Sequence, residues 1–305
     1  MAEYLHLVRT KPNEIDEIIK RFTLYLLEKD RKGSVVSYTG DVKKFIRWCL
    51  SRYASFSPQE ISPLDIVNYR DYLQGHGGRR GEKASPATVN RALVSLKVFF
   101  AYLLERGEIP YNPAADVKPV KTARKPAPKW LTRREQAALM RAVKASGSAR
   151  DEAMIGLMLH TGLRISELCS LKREDIEIAP RSGCVRVRGK GNKERSVPLN
   201  VTIRKILESW FKENPGDPLW PNRYGKPISV RGVRKLVSKY AYDARLQDVT
   251  PHTLRHTFCK NLIDSGVTLD QVAMLAGHES LNVTKLYTVP SVNDLQVAVE
   301  KIAWE

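Results

Sequence analysis

The sequence predicts a mainly α-helical chain with a small β-hairpin, an α+β fold arranged as two successive domains. Three observations carry this prediction. Apolar residues recur at helical spacing through most of the chain, one stretch alternates at period two, and a proline- and lysine-rich stretch separates two helical halves. At 305 residues the chain has room for two domains of ordinary size. A hydrophobic share of 42% supplies packed cores and argues against large-scale disorder.

Residues 1–13 read as a short tail, and residues 14–112 as a helical bundle. Ile15, Ile18, Ile19, Phe22 and Leu26 mark the apolar face of a first helix. A second follows Ser34 and carries Tyr38, Val42, Phe45, Ile46 and Cys49. Ser62-Pro63 and Ser85-Pro86 each pair a capping hydroxyl with proline at the first helical position, opening a third and a fourth helix. Gly107 stops the fourth. Residues 113–129 hold four prolines, five Lys or Arg and one acid, so they read as a basic linker. Such a segment is either an ordinary connection or one that crosses a phosphate backbone.

Residues 130–290 read as a second domain. Thr132 and Glu135 form a capping box, and a helix through Met154, Leu157 and Met158 ends at Gly162. Cys184–Arg188 and Arg195–Leu199 alternate about the turn GKGNKE, which predicts a β-hairpin. From Ile203 to Val289 the pattern is helical. Ser291 and Asp294 would cap a final helix over 291–305 bearing Leu295, Val299 and Ile302.

Charge bounds the partner. Lys and Arg outnumber Asp and Glu by 51 to 33, leaving +18. A chain this basic is suited to nucleic acid, because each neutralised phosphate releases counterions. The four cysteines lie far apart, with no metal-ligand spacing, and read as small apolar residues of a reduced compartment. No run of about 18 apolar residues and no signal-like start is present. A cytoplasmic protein with no membrane partner is expected.

Four segments of the second half carry candidate chemistry: TGLRISEL, RGKGNKERSVPL, HTLRHTF and LAGHESLNVTKLY. Each alone is a weak signal. Together they supply what metal-free attack on a phosphodiester requires: fixed cations and donors for the charge that builds on the phosphate oxygens. Arg164 and Arg255 have the planar fork for this. His252 and His278 can donate a hydrogen bond or move a proton near neutral pH. Tyr287 offers a phenol oxygen as nucleophile, once a base or nearby cations activate it. His252 and Arg255 are three apart and share a helix face, whereas His256 points to another face and reads as structural. Lys190 sits at the hairpin turn, with Lys193 as its competitor. Glu167 either orients an arginine or is a plain surface carboxylate.

With these residues in this order, the chain resembles the tyrosine recombinase (phage integrase) family, most closely its compact Xer-like members. The resemblance spans nearly the whole chain: a helical core-binding (SAM-like) domain, a basic linker and a catalytic domain. It implies Tyr287 as nucleophile on the scissile phosphate, giving a 3′-phosphotyrosyl link and a free 5′-hydroxyl. It implies that Arg164, Arg255 and His278 hold the phosphate, that Lys190 protonates the leaving oxygen, and that His252 assists proton transfer at the tyrosine. The resemblance also favours Lys190 over Lys193.

Implied partners are double-stranded DNA with a specific recombination site and a homotetramer, or a second recombinase. The two domains would clamp the DNA, and the 291–305 helix would dock on a neighbouring protomer or on its own domain. No cofactor or metal is expected. With the bundle beginning near residue 14, no separate arm-binding domain is expected either. The roles open are chromosome or plasmid dimer resolution and mobile-element integration or excision. Rival readings are a type IB topoisomerase-like enzyme and a DNA-binding regulator; the latter leaves six reactive residues in one order unexplained. A metal-dependent nuclease predicts acidic ligands that the sequence does not group.

Overall fold

The computed structural model describes residues 12–53, 55–78, 81–122, 128–189, 194–278, 284–287, 296, 299–300 and 303–304. The chain divides into two compact units, Met1–Lys125 and Pro126–Glu305.

The first unit is built on α1 (Pro12–Glu28), α2 (Val35–Leu50), α3 (Pro63–His76) and α4 (Pro86–Glu105). Ser62 closes a reciprocal capping box with Asp65, and Ser85 accepts the Thr88 amide, so both serine-proline pairs start helices as predicted. Phe22, Val42, Phe45, Ile66, Leu96 and Phe100 are fully buried between the helices. Phe45 meets Tyr69 and Phe100 edge-on, with ring centroids 5.1 and 6.0 Å apart. Burying each such side chain stabilises the unit by about 1.5–3 kcal/mol before entropy is counted. Asp41 is buried with them, where Arg91 and Ser95 donate to its carboxylate at 2.9 and 3.0 Å. Helix α4 is long and apolar enough to cross a membrane by composition, but half of its apolar window lies inside this core. Beyond α4 the chain stays on the unit: Ala114 and Val117 are buried in the same core, and Asn90 bonds both the amide and the carbonyl of Val120.

The second unit contains α5 (Arg133–Ala145), α6 (Ala149–Thr161), α7 (Ile165–Ser170), α8 (Val201–Glu213), α9 (Val230–Asp243), α10 (Pro251–Asp264) and α11 (Leu269–Ala276). Helix α6 is its axis. Every residue from Ala153 to Leu159 is buried, as expected of a helix apolar all round, and α5, α8 and α10 pack against it. The hairpin predicted at period two is present as β2 (Gly183–Arg188) and β3 (Glu194–Pro198), in register from Cys184 opposite Pro198 to Arg188 opposite Glu194.

Two features depart from the sequence reading. A third strand, β1 (Ile176–Ile178), pairs with β2; three residues are too few for alternation to declare a strand. The helical stretch expected from residue 203 onward is broken between α8 and α9, where Asp217-Pro218 is cis and Pro221 bridges Pro227. Proline lacks the amide a helix needs. Lys190 and Lys193 lie outside the described residues, as do most of 291–305; of that last segment, Val299 and Trp304 are exposed.

Where α5, α6 and α9 meet, the Tyr240 hydroxyl donates to the buried Asp151 carboxylate at 2.6 Å. Burial and that carboxylate push the Tyr240 phenol up to about 12. Tyr240→Phe leaves a buried charge short of one donor, a loss of roughly 1–3 kcal/mol. Urea unfolding of the full chain should show the second unit's transition at lower denaturant, and an unmoved transition would refute the assignment.

Candidate active site

The site is assembled where two helices end. Helix α6 stops at Gly162 and α11 stops at Gly277, both left-handed, with φ of 62° and 67°. Neither position admits a side chain: a Cβ on Gly162 would stand 2.4 Å from the Phe258 ring, and one on Gly277 would stand 2.8 Å from the Arg195 guanidinium. Each glycine reverses the chain, and two residues or one residue later come Arg164 and His278.

Arg255 on α10 lies between these two ends. It is 5% exposed and donates to the Gly162 carbonyl at 2.7 Å and the Ala276 carbonyl at 2.6 Å. Those carbonyls lie at the negative ends of two helices, so backbone dipoles replace the water that the guanidinium has lost. Burial, then the nearby Arg164, lowers Arg255 to about 10, still a cation at neutral pH.

Arg164 caps the start of α7 and donates to Glu167 at 2.9 Å and to the Gly277 carbonyl at 2.6 Å. Glu167 therefore does orient an arginine. It is 5% exposed and also accepts both terminal nitrogens of Arg195, at 3.0 and 2.8 Å. Burial alone would raise the Glu167 carboxyl; Arg195, the Arg164 amide and the Arg164 side chain outweigh it and hold the group below the usual carboxylate range. Arg195, on β3, also donates to the Leu275 carbonyl at 3.1 Å, tying the hairpin to α11. Sequence reasoning passed over Arg195 because it sits on a strand among other exposed arginines. Its one signal was an inward position beside the conspicuous GKGNKE turn.

His278 follows Gly277, its Nδ1 2.9 Å from the hydroxyl of Thr284, which is fully buried. Its ring lies parallel to that of Tyr287, with centroids 6.2 Å apart. Tyr287 ends a 3₁₀ turn, Lys285–Tyr287, and is 1% exposed among Phe258, Cys259, Val272 and Ala276. Burial, then Cys259, pushes its phenol above the ordinary value, with Arg255 opposing. The hydroxyl lies 2.6 Å from Nδ1 of His256. This overturns the assignment of His256 to an unrelated face. Positions 252, 256 and 259 lie at three- and four-residue spacings on α10, so the arc facing Tyr287 is wider than the stripe shared by His252 and Arg255. His252 is exposed on the first turn of α10, with its ring 6.4 Å from that of His256, and makes no bond to Tyr287 among the described residues.

Beside these groups opens a cleft of about 880 Å³, lined by Arg164, Glu167, Arg188, Arg195 and His278 and reaching Gly189 at the hairpin. Among the described residues no group of three or more His, Cys, Asp or Glu is placed to hold a metal. Three guanidinium groups, two imidazoles and a phenol thus come together from four stretches of chain.

Comparison with known proteins decides the family. Residues 129–293 match the phage integrase family, and residues 19–107 match the phage integrase N-terminal SAM-like domain. The chain belongs to the phage integrase family. Tyrosine recombinase XerC of Thermodesulfovibrio yellowstonii is 35% identical over 86% of this chain and 87% of its own length. XerC of Syntrophus aciditrophicus is 31% identical over 94% and 97%, and XerD of Listeria innocua 29% over 90% and 94%. Similar solved structures share the fold. XerH recombinase bound to a palindromic difH substrate has a TM-score of 0.71 at 22% identity, covering 91% of this chain and 84% of its own. A lambda integrase dimer bound to a COC′ core site has a TM-score of 0.69 at 18% identity, covering 89% and 94%. As a tyrosine recombinase, the protein is an enzyme of site-specific DNA cleavage and rejoining.

Two predictions follow from the charges of this recombinase site. Removing one partner of a buried ion pair costs roughly 3–5 kcal/mol. Arg195→Ala and Glu167→Gln should each lower the urea midpoint, and the double variant should fall short of their sum; strict additivity would show that the pair is not coupled. Burial, together with neighbouring cations, depresses His278 to about 4, and burial with His252 and Arg255 does the same to His256. Groups depressed by folding stabilise the protein fully above their unfolded value, near 6.5, and lose that contribution as pH falls toward about 4. Stability should therefore decline already between about pH 6.5 and 5, before most carboxylates titrate. A flat urea midpoint over that window would count against it.

Proposed function

We propose that this recombinase cuts one DNA strand at a defined site by attack of Tyr287 on the scissile phosphorus. The products are a 3′-phosphotyrosyl link and a free 5′-hydroxyl. The observation that carries the reading is the convergence of Arg164, Arg255 and His278 from three separate segments beside the Tyr287 ring. A guanidinium has five N–H donors. With two side-chain donors of Arg255 held by carbonyls, and two of Arg164 held by Glu167 and Gly277, donors remain on both for phosphate oxygens. In this reading they and His278 hold the negative charge that grows as phosphorus becomes five-coordinate.

Lys190 is the proposed acid that protonates the leaving 5′ oxygen. Its flanking residues support this: Gly189 lines the cleft, and the Arg188–Glu194 pair that brackets the turn is in register. Lys193, in the same turn, is the competitor. His252 is proposed to assist proton transfer near the tyrosine. Because the phosphotyrosine conserves the energy of the broken bond, rejoining needs no nucleotide.

The partner is proposed to be duplex DNA carrying a specific site, gripped by the helical domain (14–112), the basic linker (113–129) and the catalytic domain (130–290). Four protomers would act on two duplexes in the cytoplasm, alone or with a second recombinase. The final helix, 291–305, is proposed to dock on a neighbouring protomer, a reading supported by the exposure of Val299 and Trp304. Similarity to both XerC and XerD proteins favours Xer-like dimer resolution over integration of a mobile element.

A suicide duplex nicked beside the site tests the chemistry. The wild-type chain should yield a DNA–protein adduct that survives denaturant, and Tyr287→Phe should bind the duplex and yield none. An adduct persisting in that variant places the nucleophile elsewhere. Rapid relaxation of plasmids lacking the site would favour the topoisomerase reading instead.

A further inference from the structure

We propose that His256 is a catalytic residue, the group whose Nδ1 takes the Tyr287 proton during strand cleavage and returns it during rejoining. The inference deepens the reading of Tyr287 as nucleophile and rests on it.

The geometry is direct. The phenol oxygen lies 2.6 Å from Nδ1 of His256, with the two rings 5.6 Å apart. Its other polar neighbour is the Cys259 thiol, a weak partner held up by burial. His252 stands one helical turn away and contacts the His256 ring rather than the phenol. A protonated phenol has one hydrogen to give, so Nδ1 must present its lone pair and the ring proton must sit on Nε2. Nε2 makes no hydrogen bond among the described residues, and the ring is half-buried, so the imidazole is open to exchange on that side.

The surroundings keep this acceptor neutral until DNA arrives. The groups facing it are His252, Arg255 and Cys259 on its own helix, Tyr287 on the 3₁₀ turn and His278 beyond α11. Desolvation and two cationic or imidazole neighbours depress the ring, while burial raises the phenol, so transfer is strongly uphill in the free protein. A phosphate held by Arg164 and Arg255 offsets part of the local positive charge. It raises the proton affinity of the imidazole, and attack on phosphorus removes the proton affinity of the phenol oxygen. The step balances: the Oη–P bond forms as the P–O5′ bond breaks, the phenol proton passes to Nδ1, and the 5′ oxygen takes a proton from Lys190. Rejoining runs the same transfers backwards.

The test is single-turnover cleavage of the nicked suicide duplex by the full chain, comparing His256→Asn, His256→Ala and His252→Ala. Asn keeps a hydrogen-bond acceptor near Nδ1 but cannot take a proton. His256→Asn should bind DNA within about twofold of wild type and cleave about 10²–10⁴ times more slowly, the usual range for a proton acceptor. Replacing Tyr287 by a fluorinated tyrosine, which gives up its proton more readily, should restore a larger fraction of the rate in His256→Asn than in wild type. Wild-type cleavage by His256→Asn would reduce the contact to a structural hydrogen bond. Rescue by fluorotyrosine in His252→Ala and not in His256→Asn would also overturn the proposal. Failure of the underlying reading looks different: Tyr287→Phe would still form the adduct, whatever the His256 variants do.

Discussion

The site depends on how one buried cation is held without a counter-anion of its own. Arg255 has left water almost completely, a transfer costing several kcal/mol unless its charge is compensated. The carbonyls of Gly162 and Ala276 supply that compensation, and each is available because its helix has ended and has no further amide to offer it. Moving either helix end by an ångström would strand the guanidinium. The positions of α6, α10 and α11 are thus fixed together around one rigidly held donor. The two left-handed glycines make the arrangement possible, since any side chain at either one would strike α10 or Arg195.

The remaining charges follow from this anchor. Arg164 and Arg195 both approach the helix ends, and three guanidinium groups in one place repel. Among the described residues, Glu167 is the carboxylate that holds two of them, while Arg255 bonds only backbone carbonyls and feels Glu167 from a distance. The balance still leaves net positive charge facing the cleft, in a wall of low dielectric, and that is the field a phosphate meets. Because Arg195 belongs to β3, the same ion pair also fixes the base of the hairpin between whose strands Lys190 falls in sequence. The proposed phosphate clamp and the hairpin therefore share one buried carboxylate.

Much of this was legible in the sequence because it is written in local rules. Period, caps and glycine stops announced the helices, and Ser62, Ser85 and Thr132 cap their helices with the partners their spacing implies. The motif residues pointed to cations and a phenol acting together. What stayed hidden depends on neighbours distant in sequence. Arg195 looks like any strand arginine until Glu167, 28 positions away, is placed beneath it. His256 looks structural because only the position of the Tyr287 turn reveals which arc of α10 faces that phenol. Residues 113–129 read as a spacer because proline and lysine dominate their composition, yet Ala114 and Val117 pack into the first core.

The burial of Tyr287 has a chemical logic that joins these observations. Transesterification conserves bond energy, so nothing downhill in the chemistry itself restrains the enzyme from cutting wherever phosphate is met. Restraint must come from access and from protonation. A phenol that is 1% exposed is closed to a phosphorus atom, and one raised by burial stays protonated at every physiological pH. The second restraint weakens under a single change, the arrival of an anion between Arg164 and Arg255. It offsets the positive charge that adds to desolvation in depressing the neighbouring imidazoles. If Tyr287 is the nucleophile proposed above, a phenol stored among apolar side chains and next to cations, rather than exposed and pre-ionised, is matched to a reaction that must begin only on DNA.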